Sequence, residues 1–164
     1  MSAAKALQVG ATIAKKSFAV EEGTISSTWG GGHTLDLALG LETIRTIKKE
    51  KLLSHITKMG NYTKKRLYEL HNDNITNIRG KGLMLAFDAS STKNRNNLVI
   101  ECVKQGLVVL GCGNQGIRLI PPYIVTEKEI DQAVDILENV TKNIAKKNFK
   151  HTGSICNYLT CNKH

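Results

Sequence analysis

Three places in the sequence carry residue types suited to chemistry. The first is Lys5 in "SAAKALQVGA", where an amine stands among alanines, a leucine and a valine. Burial among such neighbours penalises the ammonium form and lowers its pKa, which makes a lysine a nucleophile or a base. An exposed lysine near a chain end would show the same local sequence. The second is "SSTWGGG", directly ahead of a helical pattern and holding the single tryptophan. Hydroxyls, glycines that let another group approach the backbone, and a helix N-terminus together suit an anion such as phosphate. A turn linking two domains would use the same glycines. The third is Arg118 in "GIRLIPPY", on a short apolar strand pattern with no acidic neighbour in sequence. A guanidinium aimed from a strand into a cleft matches a carboxylate two-pronged. The alternative is an arginine on the exposed face of a sheet.

Other reactive types read as structural. His33, His55 and His71 lie on or beside helical patterns and are taken as surface residues. Cys102 falls on a helix as a core residue, and Cys112 sits between glycines in a loop. Cys156, Cys161 and His164 do not have the spacing of a zinc site, so no metal is expected. Without a secretory signal, the four cysteines are expected as thiols.

Elements must position these groups. From position 34, Leu35, Leu39, Leu41, Ile44 and Ile47 recur at helical spacing, with Thr34 as N-cap, and predict a helix to about residue 49. A second helix is expected over 52–71, with Leu53, Ile56, Met59, Leu67 and Leu70 on its inner side. "ITNIRGKGLMLAFDAS" predicts two strands bent at Gly80 and Gly82, where Leu83, Leu85 and Phe87 alternate with Met84 and Ala86. "TKNRNNLVIECVKQGL" predicts a helix stopped at Gly106, "LVVLGCG" a buried strand, and "GIRLIPPYIV" a strand closed by Pro121 and Pro122. The last helix starts at a capping box of Thr126 and Glu129 and carries Ile130, Val134, Leu137 and Ile144 as its stripe. The order predicts a small α+β domain, helices against a mostly antiparallel sheet, over residues 34–147. Residues 1–33 read as the end of another domain, and residues 148–164 as a flexible basic tail.

The totals exclude some classes. The 164 residues carry 41% hydrophobic and 23% charged residues, as in globular proteins. No apolar run is long enough for a membrane span, and the start lacks the apolar stretch of a signal peptide, so the expected location is cytoplasmic. The net charge of +9 comes from basic residues spread over helix faces, without aromatic interleaving, and reads as solvated surface; no nucleic-acid partner is expected.

The three places, in this order, resemble the class III aminotransferases, nearest the branch of lysine 6-aminotransferase and 4-aminobutyrate aminotransferase. "KALQVGATI", "STWGGG", "GKGLMLAF" and "IRLIPPYIVTEKEID" carry the resemblance, which covers Ala4 to Lys146. Where the lysine branch has asparagine after "STWGG", this sequence has Gly32 and His33. The resemblance implies fold type I, with the active site at a homodimer interface and pyridoxal 5'-phosphate as cofactor. By position, Lys5 matches the lysine that binds the cofactor covalently and acts as catalytic base. Thr28 matches the threonine that reaches the phosphate of the neighbouring subunit's cofactor. Arg118 matches the arginine that grips the carboxylate of 2-oxoglutarate or the amino-acid substrate. The implied reaction moves an amino group from lysine, 4-aminobutyrate or a similar ω-amine to 2-oxoglutarate. Family members are much longer and the motifs begin beside Met1. The resemblance therefore implies a C-terminal portion: the small domain after a short remnant of the large one, inactive until joined to an N-terminal portion. A non-catalytic remnant that folds as a small α+β domain without cofactor is the alternative.

Overall fold

The computed structural model describes residues 2–3, 10–13, 15–18 and 33–145. Lys5, Thr28 and the tail 148–164 lie outside the described residues. The chain forms two compact units, Met1–Leu53 and Ser54–His164.

In the first unit, β1 (Ser2–Ala3) pairs antiparallel with β2 (Ala11–Thr12), and a 3-10 turn covers Lys16–Phe18. Helix α1 (Thr34–Lys49) has the expected bounds, but its N-cap is His33, with no side-chain capping bond, and Thr34 is the first helical residue. Its apolar stripe does not form a core among the described residues: Leu35 is 60% exposed, and Leu39, Leu41 and Ile44 are exposed too.

The second unit holds most of α2 (Leu52–Glu69) and the remaining elements: β3 (Thr76–Lys81), β4 (Met84–Asp88), α3 (Thr92–Lys104), β5 (Leu110–Cys112), β6 (Gly116–Leu119) and α4 (Glu127–Ile144). The four strands form an antiparallel sheet in the order β3-β4-β6-β5. The fold is α+β, as the order of patterns implies. Alternation along the strands splits the sheet into two faces. Leu83, Phe87, Val109 and Ile117 join Met59 and Leu67 of α2, Leu98 and Cys102 of α3, and the α4 stripe in one apolar core. Phe87, Leu98, Ile117 and Val140 are fully buried, and each such side chain contributes about 1.5–3 kcal/mol relative to exposure.

Local chemistry sets the element ends. Ser91 caps α3 by accepting from the Asn94 N–H at 3.1 Å. Gly106, at φ +86°, stops that helix in the left-handed conformation that glycine enters without strain. The capping box of α4 is complete: the Glu129 N–H donates to the Thr126 hydroxyl, and the Thr126 N–H donates to the Glu129 carboxylate at 2.8 Å. Val134, Leu137 and Ile144 are buried as expected, with Val140 and Thr141 beside them.

Three expectations are corrected. Leu53 is 70% exposed, because the inner side of α2 runs through Met59, Thr63 and Leu67. "LVVLGCG" is not a buried strand: among the described residues β5 pairs only with β6, at the edge of the sheet, and Val109 is buried while Val108 is 77% exposed. Cys112 is the last residue of β5, opposite Gly116, and does not lie in a loop.

At the β3–β4 turn, α2 comes close to the hairpin backbone. Gly82 takes φ +55°, and a Cβ added at Gly60 of α2 would collide with the Gly82 carbonyl. Only a residue without a side chain fits that point of the helix. Gly60→Ala is therefore expected to lower stability by about 1–3 kcal/mol despite alanine's better helix propensity, as overpacking against backbone does. Urea unfolding of the two chains checks this.

A polar cluster ties α2 to α4. The Tyr62 hydroxyl donates to Asp131 at 2.8 Å, and Arg66 Nε donates to the same carboxylate at 2.8 Å. These bonds hold the Asp131 carboxyl below the usual carboxylate range, Tyr62 contributing most. A carboxyl depressed on folding adds stability above its unfolded pKa and loses it as pH falls through the folded value. Asp131→Asn is thus expected to flatten the fall in stability on acidification, as read by melting temperature from neutral to acid pH.

Candidate functional site

The face of the sheet opposite the core places Arg118. In β6, Ile117 points into the core, so Arg118 points to the other side. There its register partners are Ala86 of β4 and Leu110 of β5, and Ala86 in turn faces Arg79 of β3. Met84 on this face is 64% exposed and Leu110 52%, so the face is open. Arg118 itself is half-buried. Its Nε is buried and has no hydrogen-bond partner, and no ion pair of Arg118 is found among the described residues. Buried donors are nearly always satisfied, so an orphaned guanidinium N–H beside an open face marks a place for an acceptor. A carboxylate, with two oxygens for the planar fork, suits it best.

Next to it, Asp88 gathers a small network. Arg79 Nη2 lies 2.8 Å from its Oδ1, Asn77 Nδ2 donates to its Oδ2 at 2.7 Å, and Arg79 Nη1 donates to the Asn77 carbonyl at 2.9 Å. Asn77 and Arg79 hold the Asp88 carboxyl below the usual carboxylate range. Sequence reading missed this network, although the signal was present: Arg79, Ala86 and Asp88 share a face once the hairpin register is set by the Gly80–Gly82 bend.

The other candidates fall in different places. A second orphaned guanidinium N–H, Arg95 Nε, belongs to α3 and packs against Gly111 on the helix side of the sheet. An apolar pocket of about 420 Å³ lies among Val109, Leu119, Pro121, Ile124, Ile130 and Val134. Its polar groups are already used: Thr63 donates to the Met59 carbonyl, and Glu129 closes the α4 capping box. Among the described residues, the Thr63 hydroxyl and Glu129 Oε2 of the pocket are thus already bonded, and the open sheet face with Arg118 is the candidate site. His33 and His71 are exposed, whereas His55 is half-buried, its Nε2 2.9 Å from the Val125 carbonyl. Among the described residues, no group of three His, Cys, Asp or Glu is placed to hold a metal ion, and no helix is long and apolar enough to cross a membrane.

The fold agrees with the comparisons. The family model for class III aminotransferases matches residues 1–141. An acetylornithine aminotransferase of Methanosarcina mazei is 35% identical over 143 residues, which cover 84% of this chain and 35% of the relative. An L-lysine-epsilon aminotransferase of Amycolatopsis lactamdurans is 38% identical over 118 residues, covering 69% of this chain and 26% of the relative. Among solved structures, the lysine aminotransferase of M. tuberculosis superposes with a TM-score of 0.66 at 30% identity, over 72% of this chain and 28% of that one. The chain belongs to the class III aminotransferase family. It spans about a third of the length of the curated relatives it matches.

Cys102 is fully buried, and burial pushes its thiol up to about 12. Thiolate is the reactive form, so this cysteine is inert while the chain is folded. Mass-mapped alkylation at neutral pH is expected to spare Cys102 in the native chain and to label it after urea unfolding. Equal labelling in both states would contradict the packing of α3.

Proposed function

We propose that the chain is part of a pyridoxal-phosphate-dependent aminotransferase that moves an amino group from an amino acid to 2-oxoglutarate. The observation that carries this reading is Arg118: a guanidinium with a buried, unpartnered Nε on the open face of a class III aminotransferase fold. Relatives named for acetylornithine and for the ε position of lysine support a donor with a side-chain amine. Lysine, 4-aminobutyrate and similar ω-amines are the donors in view.

The donor set suits the cofactor. Lys5 supplies an amine for an aldehyde, and Thr28 supplies a hydroxyl for a phosphate. These two residues would hold pyridoxal phosphate, which when bound supplies an electron sink for the substrate carbon. Lys5 then has a second task, as the base that takes a proton from the donor carbon and returns it at the acceptor. Arg118 binds the carboxylate of the substrate and so orients the substrate for the transfer. We read the working form as a homodimer in the cytoplasm, with Thr28 serving the neighbouring subunit's cofactor. The share of its relatives that the chain spans supports activity only together with the rest of the enzyme.

In that assembled enzyme, Arg118→Met is expected to raise the 2-oxoglutarate requirement by roughly tenfold to a hundredfold, the equivalent of one lost charge-assisted bond pair. The cofactor absorbance should not change. Lys5→Ala should remove that absorbance altogether. Equal loss of cofactor and 2-oxoglutarate binding in Arg118→Met would refute its role as carboxylate receptor.

A further inference from the structure

On the reading of Arg118 as carboxylate receptor, its surroundings decide whether its guanidinium stays available. Ala86 of β4 is flanked in register by Arg79 on β3 and Arg118 on β6, and Asp88 stands two residues further along β4 on the same face. Asp88 is thus diagonal to both arginines, a relation in which Cα atoms lie about 7–8 Å apart, within reach of long side chains. Its direct partner on β6 is Gly116, which has no side chain of its own, and the Cys112 thiol from β5 and the Arg79 guanidinium lie over that position. Asp88 nevertheless turns to Arg79, at 2.8 Å, with Asn77 on its second oxygen. A Cβ at Gly116 would lie 3.4 Å from Arg79 Nη2, so the Arg79 guanidinium reaches across β4 toward the strand that carries Arg118. An internal carboxylate released from Arg79 would compete with any substrate from a high effective concentration.

We propose that Arg79 is a positioning residue: by holding Asp88, it keeps this carboxylate from closing onto Arg118 and leaves the receptor open for a substrate carboxylate. The proposal deepens the function given above and rests on it. The test is built so that the two can fail separately.

The Asp88 carboxyl is titrated by carbon NMR in the full chain and in Arg79→Met, Arg118→Met and the double variant. Arg118→Met should titrate as the parent does. Arg79→Met should keep a depressed pKa, because Arg118 takes the carboxylate over. Removing Arg118 as well should raise the pKa by roughly one unit, the size expected for losing an adjacent opposite charge. Equal titration in Arg79→Met and the double variant overturns the proposal, whatever happens with ligand.

Glutarate, a plain dicarboxylate, is the binding probe. Its loss in Arg118→Met supports the receptor reading; unchanged binding there refutes that reading and leaves the titration to decide the proposal. Where Arg118 governs binding, Arg79→Met should weaken glutarate roughly tenfold, as coupled neighbours do. Arg79→Lys, or Asp88→Asn added to Arg79→Met, should restore it. A merely structural role for Arg79 would not be rescued by changing Asp88. Unchanged glutarate affinity in Arg79→Met overturns the proposal. Arg79 is 44% exposed on an edge strand, and the amide spectrum of each variant checks its fold.

Discussion

The side-chain alternation of one short strand governs the second unit. β6 is a central strand, hydrogen-bonded on both sides, and its residues must point alternately to opposite faces. Ile117 is fully buried in the core, and that burial leaves Arg118 no choice of side. A slip of one residue would put the guanidinium into a dry apolar layer, which costs far more than it could return. The core thus fixes the register, and the register sets the orientation of the arginine. The candidate site gains its geometry from hydrophobic packing on the far side of the sheet.

The same logic shows what was legible in the sequence. The start of α4 was readable to the residue because it is encoded locally, in the Thr126 and Glu129 capping box, and the helix's stripe repeats at helical spacing. The β3–β4 hairpin was readable from its glycines and its alternation. Arg118 could be singled out because it interrupts an apolar strand without a nearby acid. What could not be read depends on neighbours distant in sequence. The apolar run at β5 looks like a core strand, and only the sheet order makes it an edge. The stripe of α1 has ideal helical spacing and yet is exposed among the described residues. Periodicity states which residues share a side, but not what lies against that side. The Asp88 network was missed for the same reason, since Arg79 and Asp88 meet only through pairing of two strands.

Class III membership, carried by a match over residues 1–141, brings the sequence motifs into one frame. Physical reading of each motif alone left alternatives open: a linking turn for the glycines, an exposed lysine at the start, a surface arginine on the sheet. For the arginine, the structure adds an independent fact. Its Nε is buried and without a partner among the described residues, as is that of Arg95, but only Arg118 stands on the open face of the sheet. Ion pairs elsewhere on this unit, such as Lys58 with Glu127 and Lys142 with Glu138, are exposed and satisfied.

The contact between Gly60 and the Gly82 carbonyl has a mechanical meaning as well as an energetic one. Helices commonly slide past neighbouring elements by small shear steps, trading one set of interdigitated side chains for another. Here the only bare point of contact on α2 seats against a carbonyl, and its sequence neighbours are the bulky Met59 and Asn61. A roll would drive one of them into the turn, and an axial shift of one turn would bring Ile56 or Lys64 there. The joint works as an indexing pin: it permits one setting of helix against hairpin and removes sliding from the motions this unit can make.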